Sequence, residues 1–147
     1  MSAVTADLIH GTTVRLSNGT DTWVADEPLD VGGADAGPNP YELLLGALGA
    51  CTAITISLYC RRKGIALDSV SAKYELERVH ADDCDDCEEG SSGFLERVKA
   101  QIFIEGDFDE ATGERLVQIA QRCPVHKTLG AGVQFSEEIY ADRRPTA

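Results

Sequence analysis

Two cysteines carry the chemistry most readily imagined for this chain: Cys51 in GALGACTAIT and Cys123 in RCPVHKTL. A thiol acts as a nucleophile only once it is a thiolate, so each has to be judged by what surrounds it. Cys51 sits in the middle of an apolar stretch, where free cysteine ordinarily serves as a small hydrophobe. Reactivity there requires a cation from elsewhere in the fold, because the helix dipole acts only near a helix end. Cys123 is flanked by Arg122, His126 and Lys127, which favour the anion. Its place at the C-terminal end of an expected helix opposes that effect, and the sequence alone leaves the sign open. Cys60 reads as packing in a core or interface.

A second constellation is His80-Ala-Asp-Asp-Cys84-Asp-Asp-Cys87. His80, Cys84 and Cys87 supply three side chains at spacings used for zinc, and His126 or a carboxylate would complete a tetrahedral set. Asp82, Asp83, Asp85, Asp86, Glu88 and Glu89 surround them. That negative field disfavours bare thiolates, whereas a divalent cation reverses the penalty. A solvated acidic loop, or a reversible Cys84–Cys87 disulfide, accounts for the same residues without metal.

The elements that must position these groups are legible from punctuation. Leu43 to Cys60 contains no charged residue. Asn39 suits an N-cap, Pro40 the first helical position, and Glu42 the capping-box residue. Arg61, Arg62 and Lys63 suit the negative end of the dipole, and Gly64 the left-handed stop. The spacing predicts one helix over Pro40 to Lys63. Gly46, Gly49 and the hydroxyls of Thr52, Thr55 and Ser57 argue against a membrane span, although the run reaches the length at which one is considered. A helix apolar on all sides is instead expected to be buried all round, with a second subunit covering one face.

Thr12–Leu16 and Thr22–Ala25, separated by Asn18-Gly19, predict a hairpin. Asp30 to Pro40 is a Gly-, Asp- and Pro-rich loop leading to the helix. Alternation over Val70–Glu77 and again over Val98–Glu105 predicts two paired strands joined by a loop from about His80 to Gly93. A second amphipathic helix fits Asp109–Arg122, with Leu116, Ile119 and Ala120 on one face. Pro124 is then expected to bend the chain into a last strand through Val133, Phe135 and Ile139, before a polar tail. The order β-β-α-β-β-α-β is α+β, in a single domain over residues 1–147.

The chain has 147 residues, a net charge of −12 and 43% hydrophobic residues. Such an acidic globular chain is a poor partner for nucleic acid or an anionic membrane. Its five cysteines form an odd, unevenly spaced set, and MSAVTADLIHG lacks the features of a secretory leader. A reducing, cytoplasmic setting is expected.

GPNPYELLLGALGACTAIT followed by RCPVHKTL resembles the OsmC/Ohr family of cysteine-based peroxidases, and the element order agrees over nearly the whole chain. The resemblance implies an intertwined homodimer with the central helices buried between subunits. It implies that Cys51 is the peroxidatic and Cys123 the resolving cysteine of an apolar site for organic hydroperoxides. A sulfenic acid on Cys51 would condense with Cys123, and a small or protein-bound dithiol would reduce the resulting disulfide. No cofactor is required by that chemistry, zinc at the His80/Cys84/Cys87 loop standing apart from it. Tyr41 occupies the position at which better-known members carry a catalytic Glu, with Glu42 one residue on, about 100° further round the helix. Glu42 is therefore either a catalytic group or only the capping residue. The family also uses an N-terminal Arg to support the thiolate. Arg15 is assigned that role in preference to His10, because a guanidinium stays charged at every relevant pH. The alternative is a non-peroxidatic metal-binding or redox-sensing module using the acidic loop.

Overall fold

A computed structural model of the chain describes residues 1–85 and 87–141. Asp86 of the acidic loop and the end of the polar tail lie outside the described residues. The elements run β1 (Thr5–His10), β2 (Thr13–Ser17), β3 (Thr22–Ala25), α1 (Pro40–Lys63), β4 (Ala66–His80), β5 (Phe94–Asp107), α2 (Glu110–Ala120) and α3 (Pro124–Ala131).

The long helix follows from its ends. The Asn39 side chain accepts from the Glu42 N–H at 2.9 Å and Glu42 Oε2 accepts from the Asn39 N–H at 2.8 Å, closing the capping box. Gly64 stops the helix at φ 67°, in the left-handed region. Along α1, Leu48, Thr52, Ile56 and Cys60 recur every four residues and form its buried stripe. Ile56 and Cys60 pack with Leu116, Ile119 and Ala120 of α2 to make the core, edged by Val70, Ile102, Ile104 and Phe108. Each fully buried aliphatic side chain of this kind contributes about 1.5–3 kcal/mol.

Strands β4 and β5 form one long antiparallel ribbon from Ala66 opposite Asp107 to His80 opposite Phe94, with a register shift between Leu67 and Ser69 and one continuous register from Ser69 on. Their alternation gives the ribbon two unlike faces. Tyr74 meets α1, whereas Lys73, Glu75, Arg97 and Lys99 line a groove on the other face. Strands β1, β2 and β3 make a separate antiparallel sheet.

The exit from that sheet is tied down by a buried carboxylate. Asp26 accepts hydrogen bonds from the hydroxyls of Thr12 and Thr13 and from the N–H groups of Glu27 and Ala36. The loop returns so closely that a Cβ on Gly33 would overlap the Glu27 carbonyl, and one on Gly37 the Val24 carbonyl.

The α+β class stands, but both ends of the expected order change. An additional strand, β1, precedes the hairpin, and all its residues are exposed. The strand expected through Val133, Phe135 and Ile139 does not form; these residues lie in irregular chain, exposed, with no strand beside them among the described residues. Pro124 does not merely end a helix but occupies the first turn of α3, where its missing N–H costs nothing. Helix α1, expected to be covered on all sides, is covered within one chain on a single stripe. Tyr41, Leu44, Ile54 and Leu58 remain exposed.

Candidate active site

Cys51 lies midway along α1, and Cys123 is the N-cap of α3. Packing of these two helices brings the two thiols close enough to act on one another. The two are unequally covered: Cys51 is half-buried, while Cys123 is fully buried. Around them the chain supplies donors. The Val125 N–H reaches both sulfurs, and the His126 N–H and Thr52 side chain reach Cys123. Thr52 is itself buried and shares a 2.7 Å hydrogen bond with the Tyr74 hydroxyl on β4. Thr55 donates to the Cys51 carbonyl at 2.7 Å.

These contacts divide the pair electrostatically. Burial pushes the Cys51 thiol up, and its hydrogen bond and proximity to Cys123 push it further. Burial also pushes Cys123 up, but the Cys51 thiol, the His126 and Val125 N–H groups and Thr52 outweigh this and bring it below the ordinary thiol value. The two thiols are therefore shifted in opposite directions, Cys51 up and Cys123 down. Cys123 thus precedes α3 as well as following α2, and the N–H groups of Val125 and His126 at the start of α3 act to lower its pKa.

Between the same elements is a cavity of about 440 Å³ lined by Leu48, Val98, Ile102 and Leu129 among others, predominantly apolar with three polar side chains, Tyr74, Gln121 and His126. Its walls come from α1, the ribbon and α3, so it depends on the same packing that joins the sulfurs.

The other expected site residues fall elsewhere. Glu42 is engaged in the capping box, and Tyr41 beside it is exposed. Arg15 is exposed on β2, opposite Asp7 and Val24, and His10 is exposed on β1. Neither figures among the groups that principally act on the two sulfurs within one chain. Thr52, Tyr74 and the Val125 and His126 N–H groups were not singled out from sequence. A threonine in an every-fourth-residue buried stripe was the available signal, since a buried hydroxyl demands a partner.

In the acidic loop, Cys84 and Cys87 are joined in a disulfide. His80 Nδ1 lies 3.3 Å from both the N–H and the carboxylate of Asp82, capping the turn that follows β4 when neutral and pairing with the carboxylate when protonated. Among the described residues no group of three His, Cys, Asp or Glu side chains is arranged to hold a metal. A zinc site does not fit this arrangement, because each sulfur's bonding electrons are committed to the other and the thiolates that zinc requires are lacking.

The family model for OsmC-like protein matches residues 32–138, which include α1, both strands of the ribbon, Cys51 and Cys123. The chain belongs to the OsmC-like family. Solved structures share its fold. An organic hydroperoxide resistance protein OsmC from Legionella pneumophila is 23% identical with a TM-score of 0.59, the match covering 86% of this chain and 87% of that one. An OsmC-like protein from Mycoplasma pneumoniae is 21% identical with a TM-score of 0.63, covering 88% and 87%. An organic hydroperoxide resistance protein from Elizabethkingia anophelis is 22% identical with a TM-score of 0.59, covering 86% of each. No curated protein matches the sequence.

Proposed function

We propose that this OsmC-like protein is a cysteine-based peroxidase that reduces organic hydroperoxides to alcohols. The observation that carries the reading is the approach of Cys51 on α1 to Cys123 at the start of α3, close enough that each shifts the other's titration, with an apolar cavity between the same elements. Two solved relatives of the fold are named for organic hydroperoxide resistance, which supports the same substrate class.

The unequal burial of the sulfurs supports a division of roles between them. Cys51 is the one a peroxide can reach, and transfer of its proton to Cys123 along their hydrogen bond makes it the nucleophile. Its thiolate attacks the distal peroxide oxygen, the O–O bond breaks, and the alkoxide takes the proton from Cys123 to leave as an alcohol. Cys51 is then a sulfenic acid and Cys123 again a thiolate held by its donors. Attack of Cys123 on the Cys51 sulfur forms the disulfide and expels hydroxide, which becomes water. An external dithiol, small or protein-bound, returns both thiols in a reducing cytoplasm. The apolar cavity takes the alkyl group of the substrate.

A homodimer completes this reading, the exposed stripe of α1 meeting its counterpart in a second copy. In this reading Arg15, which is not among the groups acting on either sulfur within one chain, is contributed by that second copy. Glu42 acts as the cap. Replacement by Cys51→Ser removes the nucleophile and should abolish hydroperoxide consumption; turnover by the folded variant would contradict the assignment.

A further inference from the structure

Tyr74 reaches across from β4 to α1 and is held there at two points. A Cβ on Gly49 would lie 3.6 Å from two of its ring carbons, so the ring rests against the helix where the side chain is smallest. Its hydroxyl is 2.7 Å from Oγ1 of Thr52, three residues further along the same helix. Thr52 is 2% exposed, so its hydroxyl must find its partners within the protein. Besides Tyr74 it acts on Cys123, which is fully buried at the start of α3, and there it favours the thiolate. A threonine hydroxyl has a single proton. If that proton points to the Cys123 anion, the hydrogen bond with Tyr74 has only one direction: Tyr74 donates and Thr52 accepts.

We propose that Tyr74 is a positioning residue for the resolving cysteine, its hydroxyl turning that of Thr52 toward Cys123 and so holding the sulfur ready to attack. The proposal rests on the reading of Cys51 and Cys123 as the reacting pair. Once the peroxide has oxidised Cys51, the Cys123 thiolate attacks the sulfenic sulfur, the S–S bond forms and hydroxide leaves. Tyr74 and Thr52 keep their protons throughout. Their hydrogen bonds are free to reorient only when the negative charge has left Cys123.

Tyr74→Phe keeps the ring and removes the hydroxyl, leaving Cys51 and His126 untouched. The thiolate absorbance of the reduced protein, assigned to Cys123 by difference from Cys123→Ser, should titrate at higher pH, with roughly threefold less anion below the midpoint. Thr52→Ser should titrate as the wild type does. In a Thr52→Val background Tyr74→Phe should add nothing, because Tyr74 acts through Thr52. A titration unmoved by Tyr74→Phe, or moved equally in the Thr52→Val background, would overturn the proposal; a merely structural contact would lower the urea midpoint and leave the titration in place. Should the Thr52→Val proteins fail to fold, Tyr74→Phe alone decides. These titrations involve no peroxide. After a pulse of organic hydroperoxide, dimedone should trap more Cys51 sulfenic acid in Tyr74→Phe than in the wild type. Wild-type protein that forms no Cys51–Cys123 disulfide would contradict the peroxidase reading itself, whereas normal disulfide formation with an unchanged dimedone yield in the variant would contradict only the role of Tyr74.

Discussion

A thiol packed against an apolar helix can be made more acidic by hydrogen-bond donors, and Thr52 is one of the side chains that lower the pKa of Cys123. Thr52→Val keeps the shape of the residue and removes the hydroxyl. The loss should raise the pKa of the pair and slow thiol alkylation at neutral pH, since less thiolate is present. It also leaves the buried side of the Tyr74 hydroxyl without its partner, at a cost of about 1–3 kcal/mol. The pH dependence of iodoacetamide labelling and a urea unfolding curve read the two effects separately; an unmoved labelling profile would exclude Thr52 from the site. The two cysteines themselves were legible in the sequence because their flanking motifs are distinctive. Their donors were not, since Tyr74 and the Val125 and His126 N–H groups come from elements remote from Cys51 in the chain and meet it only through packing.

Among the elements, the β1–β3 sheet and its exit loop depend on Asp26. The Thr12 hydroxyl, opposed by burial and joined by Thr13 and the Glu27 and Ala36 N–H groups, holds this carboxyl far below the usual carboxylate range. Between the folded and unfolded pKa values the unfolded chain binds more protons, so stability increases with pH there. The contribution is complete above the unfolded value of about 4 and is lost as pH falls toward the folded one. Trp23 on β3 is the chain's single tryptophan, and its fluorescence reports this sheet. Its denaturant midpoint should fall steadily as pH is lowered from 5 to 2. Asp26→Asn, which turns an amide N–H toward existing donors, should flatten that dependence and lower the midpoint at pH 7. A variant retaining the wild-type slope would contradict the role.

The same scale shows why some elements could be read in advance. Asn39, Pro40 and Gly64 mark the ends of α1 by local chemistry that packing does not alter, and both bounds agree. The ribbon kept its period of two along one half-buried face, so its pairing and its loop were legible. Strand β1 has no buried face and hence no pattern to betray it. Val133, Phe135 and Ile139 alternate as a strand would, yet a strand needs a paired edge and none lies beside them among the described residues. Pro124 is compatible with a break or with the first turn of a helix, and only the packing of α3 on α1 distinguishes them.

For the whole molecule, the decisive feature is the apolar side of α1 that one chain leaves uncovered. Tyr41 is 65%, Ile54 57% and Leu58 53% exposed, on a helix long and apolar enough by composition to span a membrane. Its opposite stripe belongs to the core, which makes a second copy the fitting cover. Light scattering should give a dimer mass, and Ile54→Asp, which places a charge in the proposed contact, should give a monomer. A wild-type protein of monomer mass would contradict the assembly and with it the contribution of Arg15 from a partner. Because both copies are acidic, added salt should strengthen association.

The most direct test of the central claim is peptide mapping of the reduced protein after brief exposure to one equivalent of an organic hydroperoxide. The account predicts a new disulfide between Cys51 and Cys123, with one alcohol released for each disulfide formed. Both cysteines remaining as thiols while the peroxide persists would contradict it.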